Sequence, residues 1–422
     1  MIDHLPDHRT LPDDVRMRAR QRLSEGMSPA ARNGRPALIA AGVSLLAVGA
    51  VVAGQAVIGG SADVAAPPVQ YNGEFVGKDR TVVNHVELGK VAPDALARCV
   101  AAARAHPPAE QWQPIATSHK NGTVLTAFRG PTGLFFCANT ATTTTISEPN
   151  AAKIEDGRRK VRILFTTPSG TMAGLVSPDV SFLSLSQIAD SGQNSTLPAL
   201  VEGLFLAPSG FQKAENGTKA LVNGEQSAVR GVPKPTPSVV DRPLPPAARD
   251  TPETARFGAC LKGRPVPDAD QFALGLTAKV SATDTIITGR FGDLLLYCRE
   301  ADNDPTPGMV YDLDDMEELR GTTVAAMSAF YDFKPFKVKE GGEEGELESG
   351  GSTSSAAVGL VLDPKVASIT YVRPGTADVP ASMGNGTFVL AAPLIDRHPD
   401  ARVVVRDAAG NILETITPAN VP

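Results

Sequence analysis

Residues 123–137 read TVLTAFRGPTGLFFC, and residues 284–298 read DTIITGRFGDLLLYC. Each has an apolar run, an arginine, a glycine-bearing turn, and a second apolar run that ends in cysteine. A shift of 161 positions (286 − 125) lays Leu125 on Ile286, Arg129 on Arg290, Phe135 on Leu296 and Phe136 on Tyr297. The same shift carries Cys99 onto Cys260 and Cys137 onto Cys298. Self-similarity at a fixed offset is the mark of a repeated unit.

The likeness extends past the cysteines. Gly174-Leu175-Val176 matches Gly359-Leu360-Val361, and LFLA at 204–207 matches FVLA at 388–391. Each copy ends in a hairpin-like stretch, KALVNGEQSAV at 219–229 and ARVVVRDAAGNILETI at 401–416. The second copy holds an extra acidic, Gly/Ser-rich segment, GGEEGELESGGSTSS at 341–355. Its composition cannot bury apolar surface, so a mobile loop is expected there. Residues 231–252, GVPKPTPSVVDRPLPPAARDTP, join the copies, and their prolines predict an extended, semi-rigid spacer.

Within each copy one helix precedes a run of strands. PDALARCVAAARAHP at 93–107 places Leu96, Cys99, Val100 and Ala103 on one helical face, with proline at either end. Alternating or β-branched runs follow at 123–129, 133–138, 161–167, 171–176, 180–186, 203–207 and 219–223. Asn-Gly pairs at 121–122 and 223–224 signal tight turns. In the second copy, Met316, Leu319, Val324, Met327 and Phe330 approximate a helical stripe over 313–330. These signs predict an α+β class, each domain a helix on a mainly antiparallel sheet.

The N-terminal region points to a membrane. ALIAAGVSLLAVGAVVAGQAVI at 37–58 carries no charge, and a helix of that length rises about 33 Å, enough for roughly 30 Å of hydrocarbon. Arg9, Arg16, Arg18, Arg20, Arg22, Arg32 and Arg35 precede it, and Asp63 is the first charge after it, which assigns the N-terminal side to the cytoplasm. A cleaved signal peptide wants a shorter apolar run of about 7–15 residues behind a short basic start. Ala50 and Gly54 have the small-xxx-small spacing that lets two spans approach closely. The expected order is a basic tail 1–36, a single transmembrane helix 37–58, a stalk 59–73, one extracytoplasmic repeat 74–230, the linker 231–252, and a second repeat 253–422.

All four cysteines fall on the outer side of the span, as an oxidising compartment allows. Of three possible pairings, the repeat favours Cys99–Cys137 and Cys260–Cys298, one staple in each domain. Neither pair has the Cys-x2-4-Cys spacing of a zinc site.

No catalytic signature appears. The histidines (His4, His8, His85, His106, His119 and His398) form no metal-ligand pair, and no nucleophile elbow, phosphate loop or dinucleotide fingerprint is present. No cofactor is expected. Asp312, Asp314, Asp315 and Glu318, with Glu317, Asp302 and Asp304 nearby, are the calcium candidates, though their spacing is not that of an EF-hand. The plainer reading places acidic residues at a helix N-terminus. Arg129 and Arg290 are either ligand contacts or structural arginines beside a turn. Asn121, Asn194, Asn216 and Asn385 stand in Asn-x-Ser/Thr triplets and are read as turns.

Net charge is −6 and the pI about 5.6, which argues against a nucleic-acid partner. Abundant Ala, Gly and Pro, with arginine ahead of lysine, suggest a GC-rich bacterial genome. The expected function is a non-enzymatic binding or sensing protein on the outer face of the cell membrane, its partner a cell-envelope polymer or protein. One alternative is an extracytoplasmic enzyme whose catalytic residues come together only in space; the other acts through the tail, where VRMRARQRLSEGM at 15–27 predicts a basic amphipathic helix. In outline that arrangement is similar to transmembrane anti-sigma regulators, although the tail is short for a folded partner-binding domain and lacks a His/Cys zinc cluster.

Overall fold

The computed structural model describes residues 85–418, apart from 152–153, 155–159, 190–191, 210–217, 230, 263–264, 302–303, 340–345 and 393–398. The tail, the apolar stretch 37–58 and the stalk lie outside these residues. Among the described residues no helix is long and apolar enough to cross a membrane. The described part of Val64–Pro422 is one compact unit.

The first copy opens with β1 (His85–Leu88) and helix α1 (Pro93–Ala102). A meander follows: β2 (Gln113–Lys120), β3 (Thr123–Gly130), β4 (Gly133–Asn139) and β5 (Thr143–Ile146). Next come β6 (Val161–Thr166), β7 (Met172–Val176), β8 (Leu183–Ala189) and β9 (Gly192–Thr196). The copy ends with β10 (Ala199–Val201), β11 (Leu204–Ala207), β12 (Lys219–Val222) and β13 (Glu225–Ala228). A two-residue strand, β14 (Val239–Val240), lies between the copies.

The second copy begins with α2 (Pro252–Leu261) and its own meander, β15 (Ala273–Lys279), β16 (Asp284–Phe291), β17 (Leu294–Ala301) and β18 (Asp304–Tyr311). A short β19 (Leu319–Arg320) precedes the long pair β20 (Val324–Lys339) and β21 (Glu346–Val361). Then follow β22 (Ser368–Val372), β23 (Val379–Pro380), β24 (Ser382–Gly384), β25 (Thr387–Leu390), β26 (Arg402–Arg406) and β27 (Ile412–Ile416).

Strand order recurs between the copies. The first copy has sheets β1-β2-β3-β4-β5-β14, β10-β11-β7-β6 and β13-β12-β8-β9. The second has β15-β16-β17-β18, then β19-β20-β21-β25-β24, then β23-β22-β26-β27. The fold is mostly antiparallel sheet with few helices, so the expected helix on antiparallel sheet is present in each copy, with sheet far outweighing helix.

Side-chain alternation accounts for the layering. On β4, Phe135 and Cys137 join Trp112, Phe128 and Cys99 beneath α1. Phe136 and Ala138 point the other way, onto Phe165, Leu175 and Leu206 of the second sheet. That sheet turns Met172 and Phe205 onto Leu183 and Leu185 of the third. In the second copy Ile287 and Leu296 meet Phe257 of α2, Leu295 and Tyr297 meet Ala325 and Val358, and Val324 and Ala326 meet Ile369 and Val403. Each copy is thus a helix on a stack of three sheets, and the helix covers one outer face only. Burying each of the fully enclosed phenylalanines contributes about 1.5–3 kcal/mol over leaving it exposed.

Both cysteine pairs join the helix to the third meander strand. Cys99 is bonded to Cys137 and Cys260 to Cys298. Asn139, two residues past Cys137, is buried and donates from Nδ2 to the Ala95 carbonyl and Cys99 Sγ. The matching position holds Glu300, buried and ion-paired with Arg256 of α2.

The hydrogen-bond register shifts one correspondence by a residue. Phe205 stands opposite Gly174, and Phe388 opposite Gly359. A Cβ on Gly359 would lie 2.5 Å from Phe388 Cε1, and one on Gly174 would lie 2.8 Å from Phe205 Cε1. So 204–207 corresponds to 387–390, not to FVLA at 388–391.

Three local expectations are also corrected. Residues 313–330 form no α-helix; a 3₁₀ turn at Leu313–Asp315 leads into β19 and β20. The cause is that β20 lies between two sheets, so Val324-Ala325-Ala326 is apolar on both faces, a run that periodicity cannot tell from a helix. Residues 346–355, expected in a mobile loop, belong to β21, paired in register as far as Lys339↔Glu346. The ladder with β20 supplies their backbone partners whatever their side-chain composition.

The linker is not a free spacer. Thr236 N donates to the Thr166 carbonyl at 2.9 Å, and β14 pairs with β5 as Val239↔Thr144 and Val240↔Thr143. On the second copy's side, Ala247 N donates to the Asp270 carbonyl at 2.8 Å, and Thr251 caps α2 by accepting from Thr254 N. Proline content predicted its extension but not its docking.

Candidate functional site at the junction of the two copies

Two turns of the first copy meet the second. The first is Asn121-Gly122, between β2 and β3, with φ of 50° and 75°. Asn121 N donates to Asp312 Oδ2 at 2.9 Å, and Lys120 Nζ lies 3.5 Å from Asp315 Oδ1. The Leu294 side chain packs on this turn: a Cβ on Gly122 would fall 2.6 Å from Leu294 Cδ1. The positive φ favours glycine there, and a larger residue would also have to displace the Leu294 methyl.

The second turn links β4 to β5 through Thr140–Thr143. Asp268, held at φ 50°, reaches it from the second copy. Its carboxylate accepts from Thr140 Oγ1 at 2.7 Å, from Ala141 N at 2.8 Å, from Thr142 N at 3.3 Å and from Thr142 Oγ1. Behind the turn, the Arg98 guanidinium donates to the Thr140 and Thr143 carbonyls and bidentately to Asp241, at 2.6 and 2.8 Å. The Arg98 hydrogen bonds hold the Asp241 carboxyl below its ordinary value, against a weaker desolvation effect. One turn of the first copy is thereby gripped by its own helix, the linker and the second copy.

The calcium candidates diverge. Asp312 caps the 3₁₀ turn, accepting from Asp314 N and Asp315 N through Oδ1, while Oδ2 accepts from Asn121. Asp314 faces Arg320 at 3.7 Å. Asp315 turns to Lys120, and burial pushes its carboxyl above the ordinary value, Lys120 only partly opposing. Glu318 is buried near Tyr297 and Tyr311, whose rings stack at 6.0 Å. Among the described residues no group of three or more His, Cys, Asp or Glu is placed to hold a metal. The acidic residues do sit at a turn's N-terminus, but that turn is 3₁₀ rather than an α-helix.

The matched arginines part company. Arg290 donates to the carbonyls of Gly292, Val361 and Gly386 at 2.7–3.1 Å and holds the second sheet to the first. Arg129 is exposed on β3. His106 is wedged between Trp112 and Phe135, with Nε2 2.8 Å from the Ser147 carbonyl. His85 and His119 pair across β1 and β2 in register; His4, His8 and His398 lie outside the described residues. Asn121 and Asn385 take left-handed turn geometry, as does Asn223. Asn216 lies outside the described residues.

Sequence reasoning missed Asp268, Thr140–Thr142 and the Arg98–Asp241 pair. No local pattern marks them, because each works through a partner more than 100 residues away. No family model, curated protein or solved structure matches this chain.

Proposed function

We propose that this chain is a membrane-anchored extracytoplasmic binding or sensing protein without catalytic activity. The stretch 37–58 is its anchor, tail 1–36 faces the cytoplasm, and the two repeats stand outside. The observation that carries the reading is the junction, where Asp268, Asp312 and Asp315 of one copy bond to turns of the other. Two copies of one layered fold so joined present a pair of related surfaces at fixed separation. A repetitive cell-envelope polymer suits such a pair, since the second engagement becomes intramolecular. Two disulfides favour an oxidising compartment.

The test is co-sedimentation of the full-length protein, in nanodiscs, with purified envelope polymer, alongside a thermal-shift series with its fragments. A fragment at 100-fold its dissociation constant stabilises by about 2.7 kcal/mol. Retention on polymer with a fragment-induced shift supports the reading; failure of both sinks it. The basic tail favours a second reading, a single-span signalling regulator, in which deleting residues 1–34 abolishes signalling while leaving polymer binding intact.

A further inference from the structure

Between its two docked ends the linker bridges the copies over Arg242–Pro246, and this bridge is exposed throughout. One end is fixed by Asp241 N and Arg242 N, which donate to the Thr142 carbonyl, by the Arg98–Asp241 pair, and by Arg242 with Asp94. The other end is fixed by Ala247 N on the Asp270 carbonyl and by Arg249, which donates to the Phe272 carbonyl at 2.6 Å and lies over the Phe257 ring at 5.2 Å. Three of the five large hydrophobic side chains left exposed among the described residues, Val239, Val240 and Leu244, belong to this linker.

Backbone chemistry sets the conformation of the bridge. Pro243, Pro245 and Pro246 have φ locked near −65°. Arg242, Leu244 and Pro245 each precede a proline and are pushed to extended or polyproline II geometry. The prolines offer no N–H, so a partner strand cannot pair along the bridge as β14 does on β5. What remains for recognition is proline ring faces, the Leu244 side chain, 46% exposed, and the backbone carbonyls of an exposed segment. An aromatic-lined groove reads that chemistry, stacking on the rings and donating to the carbonyls. Arg242 at one end calls for an acidic group at the groove's rim, and its present pair with Asp94 is solvent-exposed and cheap to exchange. Because both ends are pinned, little ordering entropy is left to lose on docking.

We propose that Arg242–Pro246 is a preorganised docking ridge for a protein domain with an aromatic-lined, acid-rimmed groove. The ridge joins one copy to the other, so such a partner engages the molecule where both are held. This is separate from polymer binding by the repeats and stands without it.

The test uses the full-length protein in nanodiscs and two purified probes, an SH3 domain and a WW domain, titrated by biolayer interferometry. The expected result is saturable binding by at least one probe, blocked by a free peptide of residues 240–248. It should weaken at least about tenfold in Leu244→Asp and in the double variant Pro245→Gly/Pro246→Gly. Near-UV circular dichroism and an unchanged thermal midpoint establish that each variant is folded. Probes that bind the free peptide but not the protein overturn the proposal, as does binding that the variants leave unchanged, or no binding at all.

Discussion

Phe257 fills the space that a side chain at residue 289 would need: a Cβ on Gly289 would lie 2.1 Å from the ring's Cζ. In the first copy the corresponding positions are Leu96 and Phe128, so the phenylalanine stands on the sheet there and on the helix in the second copy. Gly289→Ala should overpack this site and cost about 1–3 kcal/mol in urea unfolding. Combining it with Phe257→Leu should recover much of the loss. Additive rather than compensating effects would show that the two positions do not share the space.

Asp268 satisfies two backbone N–H groups and two hydroxyls of the other copy. Asp268→Ala should cost about 1.5–3 kcal/mol, the range for hydrogen bonds to a charged group. Hydrogen exchange at Ala141 and Thr142 should accelerate while the core of α2 stays protected. Unchanged exchange at those amides would remove Asp268 as the tie between the copies.

The pH dependence should be set by opposing groups. Burial pushes the Asp284 carboxyl up, but hydrogen bonds from Arg299, Ser281 and Thr283 outweigh it and leave it below 3.8. Glu414 stands likewise below 4.5, where bonds from Thr323 and Thr322 overcome its burial. Asp241 is lowered chiefly by Arg98. A lowered carboxyl contributes stability that is present above its unfolded value and lost as pH falls through its folded one. These three should therefore drive acid unfolding below about pH 4.5. Asp315 runs the other way: its contribution is complete below 3.8 and lost as pH rises through its raised folded value. Thermal midpoints from pH 2 to 8 should show Asp284→Asn less acid-sensitive than the parent. Asp315→Asn should lose the small gain on acidification and so fall more steeply in acid than the parent; a shallower acid loss in that variant would contradict its sign.

Each disulfide closes a loop with a sequence separation of 38. Replacing Cys99 and Cys137 together by serine should cost roughly 4 kcal/mol on the chain-entropy account, and the Cys260–Cys298 pair a similar amount. A large loss from one pair and none from the other would show that the staples are not equivalent.

Much of the fold was legible where one residue type forces one geometry. Asn121-Gly122 and Asn223-Gly224 are turns because both residues tolerate positive φ. Pro93 and Pro252 open helices because a first-turn residue needs no N–H. The candidate site was far less legible. Asp268, Thr142, Arg98 and Asp241 carry no shared pattern, and the acidic run that did stand out divides its carboxylates among separate partners.

By itself, then, the sequence determined the repeat, the pairing of Cys99 with Cys137 and of Cys260 with Cys298, and the turns. These follow from matched spacing and from backbone chemistry, both of them local or written twice. Only the tertiary structure decided that 324–330 is strand rather than helix, that the prolines of 231–252 dock instead of spacing the copies apart, and that Asp268 closes on Thr140–Thr142. Two physical reasons account for the three. A segment buried on both faces loses its periodic signal, and a hydrogen bond between distant residues leaves no mark on the residues around either one.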